Sequence, residues 1–282
     1  MKTLEAEISW LVGLGVDGLT TGMVSEILKL SPTERLSLHD SIKEYAGDSG
    51  ITLVFSAGGE STKQAIAYTK HAEQTGADAV MVNPPLTTAL GDADLLAYYR
   101  GILDETEIPL VVQDASGYIG RPLSLDLQLT LFREYENRVY FKPEAVPIGP
   151  RLSLFMEMTD RQARVLEGSG GLALIDTYDR GVIGTMPGSD TVWALIALWK
   201  ALEVGDRDRA EAISGPLANL IALEHSLDAY LAIEKYLMVK QGIFPNAICR
   251  EPIGYKLDTQ TKSRIDALFT SLQNTVNGKV RG

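Results

Sequence analysis

Apolar and β-branched residues gather along this chain in short runs, separated by longer stretches of helical periodicity. The runs at 18–23 (GLTTGM), 51–57 (ITLVFSA), 78–84 (DAVMVNP), 109–115 (PLVVQDA), 139–144 (VYFKPE), 163–168 (ARVLEG) and 181–186 (GVIGTM) predict seven strands. They recur roughly every 25 to 35 residues, the strand–helix rhythm of a parallel sheet. Ser31 with Pro32 and Glu34 opens one helix, Ser61 and Thr62 open another that stops at Gly76, and Asp92 opens a further one that ends before Pro109. After Gly188 the pattern is helical, through 190–205, 208–227 and 229–242 to a last helix from about Thr259 to Val276. The expected fold is α/β, a (β/α)8 TIM barrel: residues 1–205 form the barrel, and 206–282 form a helical C-terminal extension packed on it within the same domain. The first strand of such a barrel is missing from the pattern, because the chain opens on a helix from about Thr3. A doubly wound open sheet is the competing architecture, and it is weakened because no GxGxxG follows the first run.

Composition narrows the partners. The 282 residues are 45% hydrophobic and 22% charged with a formal net charge of -11, and no basic run stands out, so nucleic acid and anionic membranes are excluded as expected partners and a small molecule is favoured. No run reaches eighteen apolar residues, and the N-terminal segment carries Glu5 and Glu7 where a signal peptide would be positive and then apolar; a cytoplasmic protein is expected. The single Cys249 cannot form an intrachain disulfide and reads as buried filler. His39, His71 and His225 read as surface or groove residues on helices without ligand spacing, so no metal and no other cofactor is expected. The glycines at 58, 59, 168, 170 and 171 are not followed by the Lys-Ser/Thr of a phosphate loop.

In a (β/α)8 barrel the working side chains project from the C-terminal ends of the strands. Those ends offer Ser25, Glu26, Ser56, Asn83, Gln113, Asp114, Lys142, Glu144, Glu167, Ser169 and Thr185. Lys142 is the chemically unusual one, since an apolar strand precedes it and Pro143 follows. Burial there penalises the ammonium form and favours the free amine that attacks a carbonyl. A strand-end lysine can also snorkel to water, and the pattern alone leaves both readings open.

Several segments, taken in order, resemble the dihydrodipicolinate synthase and N-acetylneuraminate lyase family of class I aldolases and dehydratases. They are GLGVDGL (13–19), LSPTER (30–35), the long run from Gly58 to Pro85, VVQDASGYIG (111–120) and YFKPEA (140–145), and together they span nearly the whole chain. The resemblance implies that Lys142 is the Schiff-base lysine, acting on a 2-oxo acid, in a homodimer or homotetramer. Two departures bear on the chemistry. Gln113 stands where the family's proton-relaying tyrosine falls, and GMVSE (22–26) stands where a Gly-Thr-Thr-Gly-Glu loop binds the substrate carboxylate. Gln113 has no titratable proton, whereas Met23, Val24 and Ser25 could still hold a carboxylate on backbone amides. Ser25 can equally be an ordinary turn residue.

The combination is most similar to the branch typified by 2-keto-3-deoxy-arabonate dehydratase. That likeness implies dehydration of a 2-keto-3-deoxy sugar acid, with Lys142 as nucleophile, Glu144 as acid and base two residues along the strand, and Gln113 orienting the substrate or a water. Glu144 can instead form a structural salt bridge. Asn83, Asp114, Ser169 and Thr185, the last in a GTMPG loop at 184–188, are candidates for the hydroxylated tail, though each could equally hold a loop. The alternatives are a pyruvate-dependent aldolase or synthase of the same family and a 2-oxo-acid-binding barrel without turnover.

Overall fold

The computed structural model describes residues 2–117 and 120–278. Each predicted strand run contains an observed strand: β1 (Gly18–Thr20), β2 (Thr52–Ser56), β3 (Ala79–Val82), β4 (Leu110–Gln113), β5 (Val139–Lys142), β6 (Leu166–Glu167) and β7 (Gly184–Thr185). Strands β1 to β5 pair in sequence order, all parallel. Strands β6 and β7 pair in the same sense, and Val165 bridges to Phe141, so the succession continues from β5 into β6. Helices α1 (Lys2–Leu14), α2 (Pro32–Ala46), α3 (Thr62–Thr75), α4 (Asp92–Leu103), α5 (Leu125–Tyr135), α6 (Ile148–Met158) and α7 (Leu174–Arg180) precede or connect the strands. Among the described residues the first element is therefore a helix, as the pattern implied.

The helix boundaries follow from local chemistry. Ser31 and Glu34 close a capping box around Pro32 at the start of α2, and Ser61 and Ser124 cap α3 and α5 by accepting from the backbone N–H three residues on, those of Gln64 and Leu127. Gly76 ends α3 with φ 82°, a left-handed conformation that costs a glycine little.

The chain divides into two compact units, 17–168 with 176–186, and 1–16 with 169–175 and 187–282. The first holds the strands. Phe55, Val80, Val82, Leu110, Val112 and Phe141 are buried on one face of its sheet. Phe141 meets Phe155 of α6 edge-on at 4.8 Å, and Phe55 stacks on His39 of α2 at 4.4 Å. This is the helix-covered face of a parallel sheet.

The second unit is helical: α1, α8 (Val192–Glu203), α9 (Arg207–Ile221), α10 (Leu227–Lys240) and α11 (Thr259–Val276). Trp193 of α8 packs edge-on against Phe269 of α11, and the Arg209 guanidinium of α9 donates to the last carbonyls of α11 at Thr275 and Val276. The loop before α8 is held by side chains of α10 and α1. Gly188 N–H donates to the Tyr230 hydroxyl, Ser189 N–H donates to Glu234 Oε1, and the Ser189 hydroxyl donates to Glu7.

Candidate active site

Strand pairing brings the central residues together. Gln113 and Lys142 are register partners at the ends of β4 and β5, so their side chains leave the same face of the sheet, and Glu144 follows two residues beyond Lys142. Lys142 Nζ donates to Glu144 Oε1 at 2.7 Å, and Gln113 Nε2 donates to the same oxygen at 2.8 Å. Relative exposure is 7% for Lys142, 4% for Glu144 and 5% for Gln113, so the amine does not snorkel to bulk solvent. The other oxygen, Glu144 Oε2, is buried without a hydrogen-bond partner. Gly168 at the end of β6 permits this packing: a Cβ there would fall 2.9 Å from Glu144 Cγ and 3.1 Å from Lys142 Cγ. The arrangement places a proton acceptor against a buried primary amine and holds the same acceptor oxygen with a neutral amide.

Met23, Val24 and Ser25 form a single 3-10 turn after β1. Its ends are tied by Ser25 N–H to Gly22 O and by Gly22 N–H to the Ser25 hydroxyl. The N–H groups of Met23 and Val24 find no partner among the described residues, which leaves two adjacent donors of the kind that cradle an anion.

The remaining candidates divide by the pleat. Asn83 falls on the lysine's face, where its amide donates to Pro84 O and its Oδ1 leaves room for nothing larger than glycine at Gly58. Asp114 points the opposite way, and both its oxygens accept backbone amides, from Ser116 at 3.0 Å and Leu123 at 2.9 Å, so it shapes the loop after β4. Thr185 also lies off the lysine's face and donates to Glu167 Oε2 at 2.6 Å. Ser169 belongs to the helical unit, where its hydroxyl accepts from Ala173 N–H. The strand cores therefore assemble Gln113, Lys142 and Glu144 with Asn83 in the same row, and leave Asp114 and Thr185 out of it. Tyr118 and Ile119 of the VVQDASGYIG segment lie outside the described residues.

Three readings of single residues need correction. His39 is no surface or groove residue: it is fully buried, and desolvation, with the Arg35 charge next in weight, pushes its pKa down to about 3. Its ring nitrogen shares a hydrogen bond with Thr21 Oγ1, which also accepts from Ser56 N–H. His225 lies between α9 and α10 rather than within a helix, and Cys249 is partly exposed in the loop before α11 rather than buried. Sequence reasoning also missed Arg35. From α2 it donates to Ser56 O, Ser56 Oγ and Gly58 O while stacking 4.2 Å over Tyr68, and so fixes the backbone at the end of β2. Its place in LSPTER gives no hint of these partners, which lie more than twenty residues away. Among the described residues no group of three His, Cys, Asp or Glu side chains is placed to hold a metal ion. None of their helices is long and apolar enough to cross a membrane.

A parallel strand–helix succession with a buried lysine and carboxylate at the strand ends is the arrangement expected of an aldolase-type barrel. The family model of the dihydrodipicolinate synthetase family matches residues 1–272, and the chain belongs to that family. It is 25% identical over 268 residues to the 4-hydroxy-tetrahydrodipicolinate synthase of Methanosphaerula palustris, covering 94% of this chain and 89% of that protein. The crystal structure of dihydrodipicolinate synthase from Rhodopseudomonas palustris superimposes with a TM-score of 0.87 at 22% identity, over 96% of this chain and 91% of that one. That of YagE, a prophage protein of the dihydrodipicolinic acid synthase family from E. coli in complex with pyruvate, gives a TM-score of 0.85 at 22% identity, over 95% and 91%. The fold is thus the TIM barrel of this family with its helical C-terminal part, and the chain is an enzyme of the aldolase-type lyase class.

Proposed function

We propose that this enzyme joins or cleaves a carbon–carbon bond to pyruvate or a close 2-oxo acid through a Schiff base on Lys142. The observation that carries the reading is the buried Lys142 amine with its proton acceptor, Glu144 Oε1, at 2.7 Å. Relatives named as synthases support this over the dehydratase expected from the sequence, as does a structural neighbour that binds pyruvate. The amine, having passed its proton on, attacks C2 of the 2-oxo acid, and loss of water gives the imine. The imine withdraws electrons from C3, a proton leaves C3, and the resulting enamine attacks the carbonyl carbon of an aldehyde. The aldehyde oxygen takes a proton from Glu144, and hydrolysis of the imine frees the product and the lysine. The substrate carboxylate would rest on the Met23 and Val24 amides beside Ser25.

Dehydration of a 2-keto-3-deoxy sugar acid is the second reading, favoured by one observation. Gln113 occupies the register position beside Lys142 and cannot relay a proton, which leaves Glu144 as the titratable neighbour of the amine. In that reaction the enamine expels the C4 hydroxyl with a proton from Glu144.

Borohydride reduction with pyruvate followed by peptide mass spectrometry tests the shared step. A reduced adduct on Lys142 is expected, and none in Lys142→Arg. An adduct on another lysine, or full turnover by the arginine variant, overturns the reading. Consumption of an aldehyde acceptor separates the synthase from the dehydratase.

A further inference from the structure

The loop that follows β7 carries Gly188, Ser189 and Asp190, and within the helical unit it is met by carboxyl groups from other segments. The Ser189 hydroxyl donates to Glu7 Oε1 of α1 at 2.8 Å, and the Ser189 N–H donates to Glu234 Oε1 of α10 at 3.0 Å. One serine is therefore held by two carboxyls from two helices. Gly188 N–H donates to the Tyr230 hydroxyl at 2.9 Å, and the fit is close: a Cβ on Gly188 would collide with that hydroxyl and lie 2.9 Å from Glu234 Oε1. Asp190 is buried, as is Glu224, whose charge opposes those of Asp190 and Glu234. The Asp190 oxygens and Glu224 Oε1 lack well-formed hydrogen bonds.

Four carboxyls among the described residues, Glu7, Asp190, Glu224 and Glu234, thus gather on this loop with little to balance them. Lys235 of α10 is the cation facing Glu7 and Glu234, and its amine already donates to the Ile248 carbonyl at 2.8 Å. Tyr230 adds only a phenol. Burial is the first cause that raises each of the four, Asp190 to about 7, and the charges of acidic neighbours raise Glu224 and Glu234 further. The far end of the loop is fastened without a titratable group, because the Asp190 carbonyl accepts from Trp193 Nε1 at 3.2 Å and from Gln241 Nε2 at 3.0 Å. The segment therefore has a fixed end at Asp190 and a titratable hold at Gly188 and Ser189.

We propose that these four carboxyls form a proton-operated latch: while they share protons they hold Gly188 and Ser189 against α1 and α10, and when they ionise that hold is released. A hydrogen bond to a charged carboxylate is stronger than one to a neutral acid, but Ser189 supplies only two such bonds to a group of four charges, so repulsion and lost solvation prevail. Release lets water reach the carboxylates and so stabilises their ionised form. The sign follows from linkage: a carboxyl harder to ionise in the latched loop than in the open one favours the latch at low pH. For Asp190 the hold is strongest below about pH 4, the ordinary carboxyl value, and weakens up to about pH 7. The latch depends on contacts within the helical unit and not on the chemistry at Lys142.

Hydrogen exchange of the full chain, read amide by amide at about pH 5 and about pH 8 and corrected for the intrinsic pH dependence of exchange, tests the latch. Protection of the Gly188 and Ser189 amides should fall at least about 10-fold between the two, while Leu198 inside α8 and Leu237 inside α10 stay protected. Glu234→Gln, whose amide oxygen can still accept from Ser189, should keep most of the protection at the higher pH. Glu7→Gln should keep part of it, and carries the same test should Glu234→Gln not fold. Gly188→Ala should leave the amides at 188 and 189 unprotected at either pH. Unchanged protection in the wild type overturns the proposal. So does an equal fall in the wild type and the glutamine variants, a fall that Leu237 shares, or pH-dependent protection that survives in Gly188→Ala.

Discussion

Glu144 accepts two hydrogen bonds on one carboxylate oxygen and none on the other, which divides the group into a held end and an available end. Such a division suits proton transfer, because the carboxylate need not reorient between accepting a proton and returning it. Glu144→Gln keeps the shape and can still accept from Lys142 and Gln113, but it cannot exchange a proton. The expected result is a fall in kcat on the order of 10²- to 10⁴-fold, with the pyruvate adduct on Lys142 still trapped by borohydride over longer incubation. Turnover within a few-fold of wild type would show that Glu144 is only a salt-bridge partner. At this scale the sequence was informative where chemistry is local. Lys142 ends β5 and Glu144 lies two residues beyond it, so continuing the strand's pleat by two residues already puts both on one face. The role of Asp114 was not legible, because one of its two partners, the Leu123 amide, comes from the far end of its loop. Nor was the burial of His39, whose partner Thr21 arrives from another element.

Helices α8, α9 and α10 meet around acidic groups that the proposed reaction does not use. Asp190, just before α8, Glu224, just after α9, and Glu234 on α10 are all buried, and the Asp190 oxygens and Glu224 Oε1 lack well-formed hydrogen bonds. Burial pushes Asp190 up to about 7, against partial relief from the backbone amides of Asp190 and Thr191. It also raises Glu224 and Glu234, and their charges oppose one another. Glu7 on α1 is raised as well by burial, against relief from Ser189 and Lys235. The sign follows from linkage: a carboxyl whose pKa is higher folded than unfolded favours the folded state least once it must ionise. For Asp190 the penalty is absent below about pH 4 and grows up to about pH 7, and Glu224 and Glu234, raised by burial and by their acidic neighbours, add a penalty of the same sign. Urea midpoints should therefore fall from pH 5 to pH 8. Asp190→Asn should flatten that slope and gain stability at pH 8 by at most ~4 kcal/mol. An unchanged slope in Asp190→Asn would mean that the acid is already satisfied in solution. The C-terminal helices were plain from their apolar periodicity, but the segment 208–227 was read as one helix, whereas α9 ends at Ile221 and Ser226 caps α10. The strands were placed correctly but read too long: GLTTGM gives way to a 3-10 turn after Gly22, and ARVLEG contributes only Leu166 and Glu167. Periodicity marks where an apolar run lies, while pairing with the neighbouring strand decides how much of it is strand.

A chain with net charge -11 repels anions at long range, yet the proposed substrate is itself an anion. On the proposed reading, selectivity then comes from the short-range features at the strand ends, namely the paired amides of Met23 and Val24 and the covalent step at Lys142. This makes binding separable from general charge effects. A ligand that binds only the folded state stabilises it by an amount set by its concentration relative to its dissociation constant, about 2.7 kcal/mol at a hundredfold excess. For a chain of this size that corresponds to a rise in Tm of about 5 °C. Saturating pyruvate should produce such a rise in the wild type. In Lys142→Arg, which keeps the positive charge but cannot form an imine, the rise should shrink to what non-covalent contact with the amides supplies. Lactate, with the same carboxylate but no ketone, should act on both proteins alike and weakly. Equal shifts from pyruvate in the wild type and in Lys142→Arg would place the whole interaction in anion binding and remove the covalent step from the account.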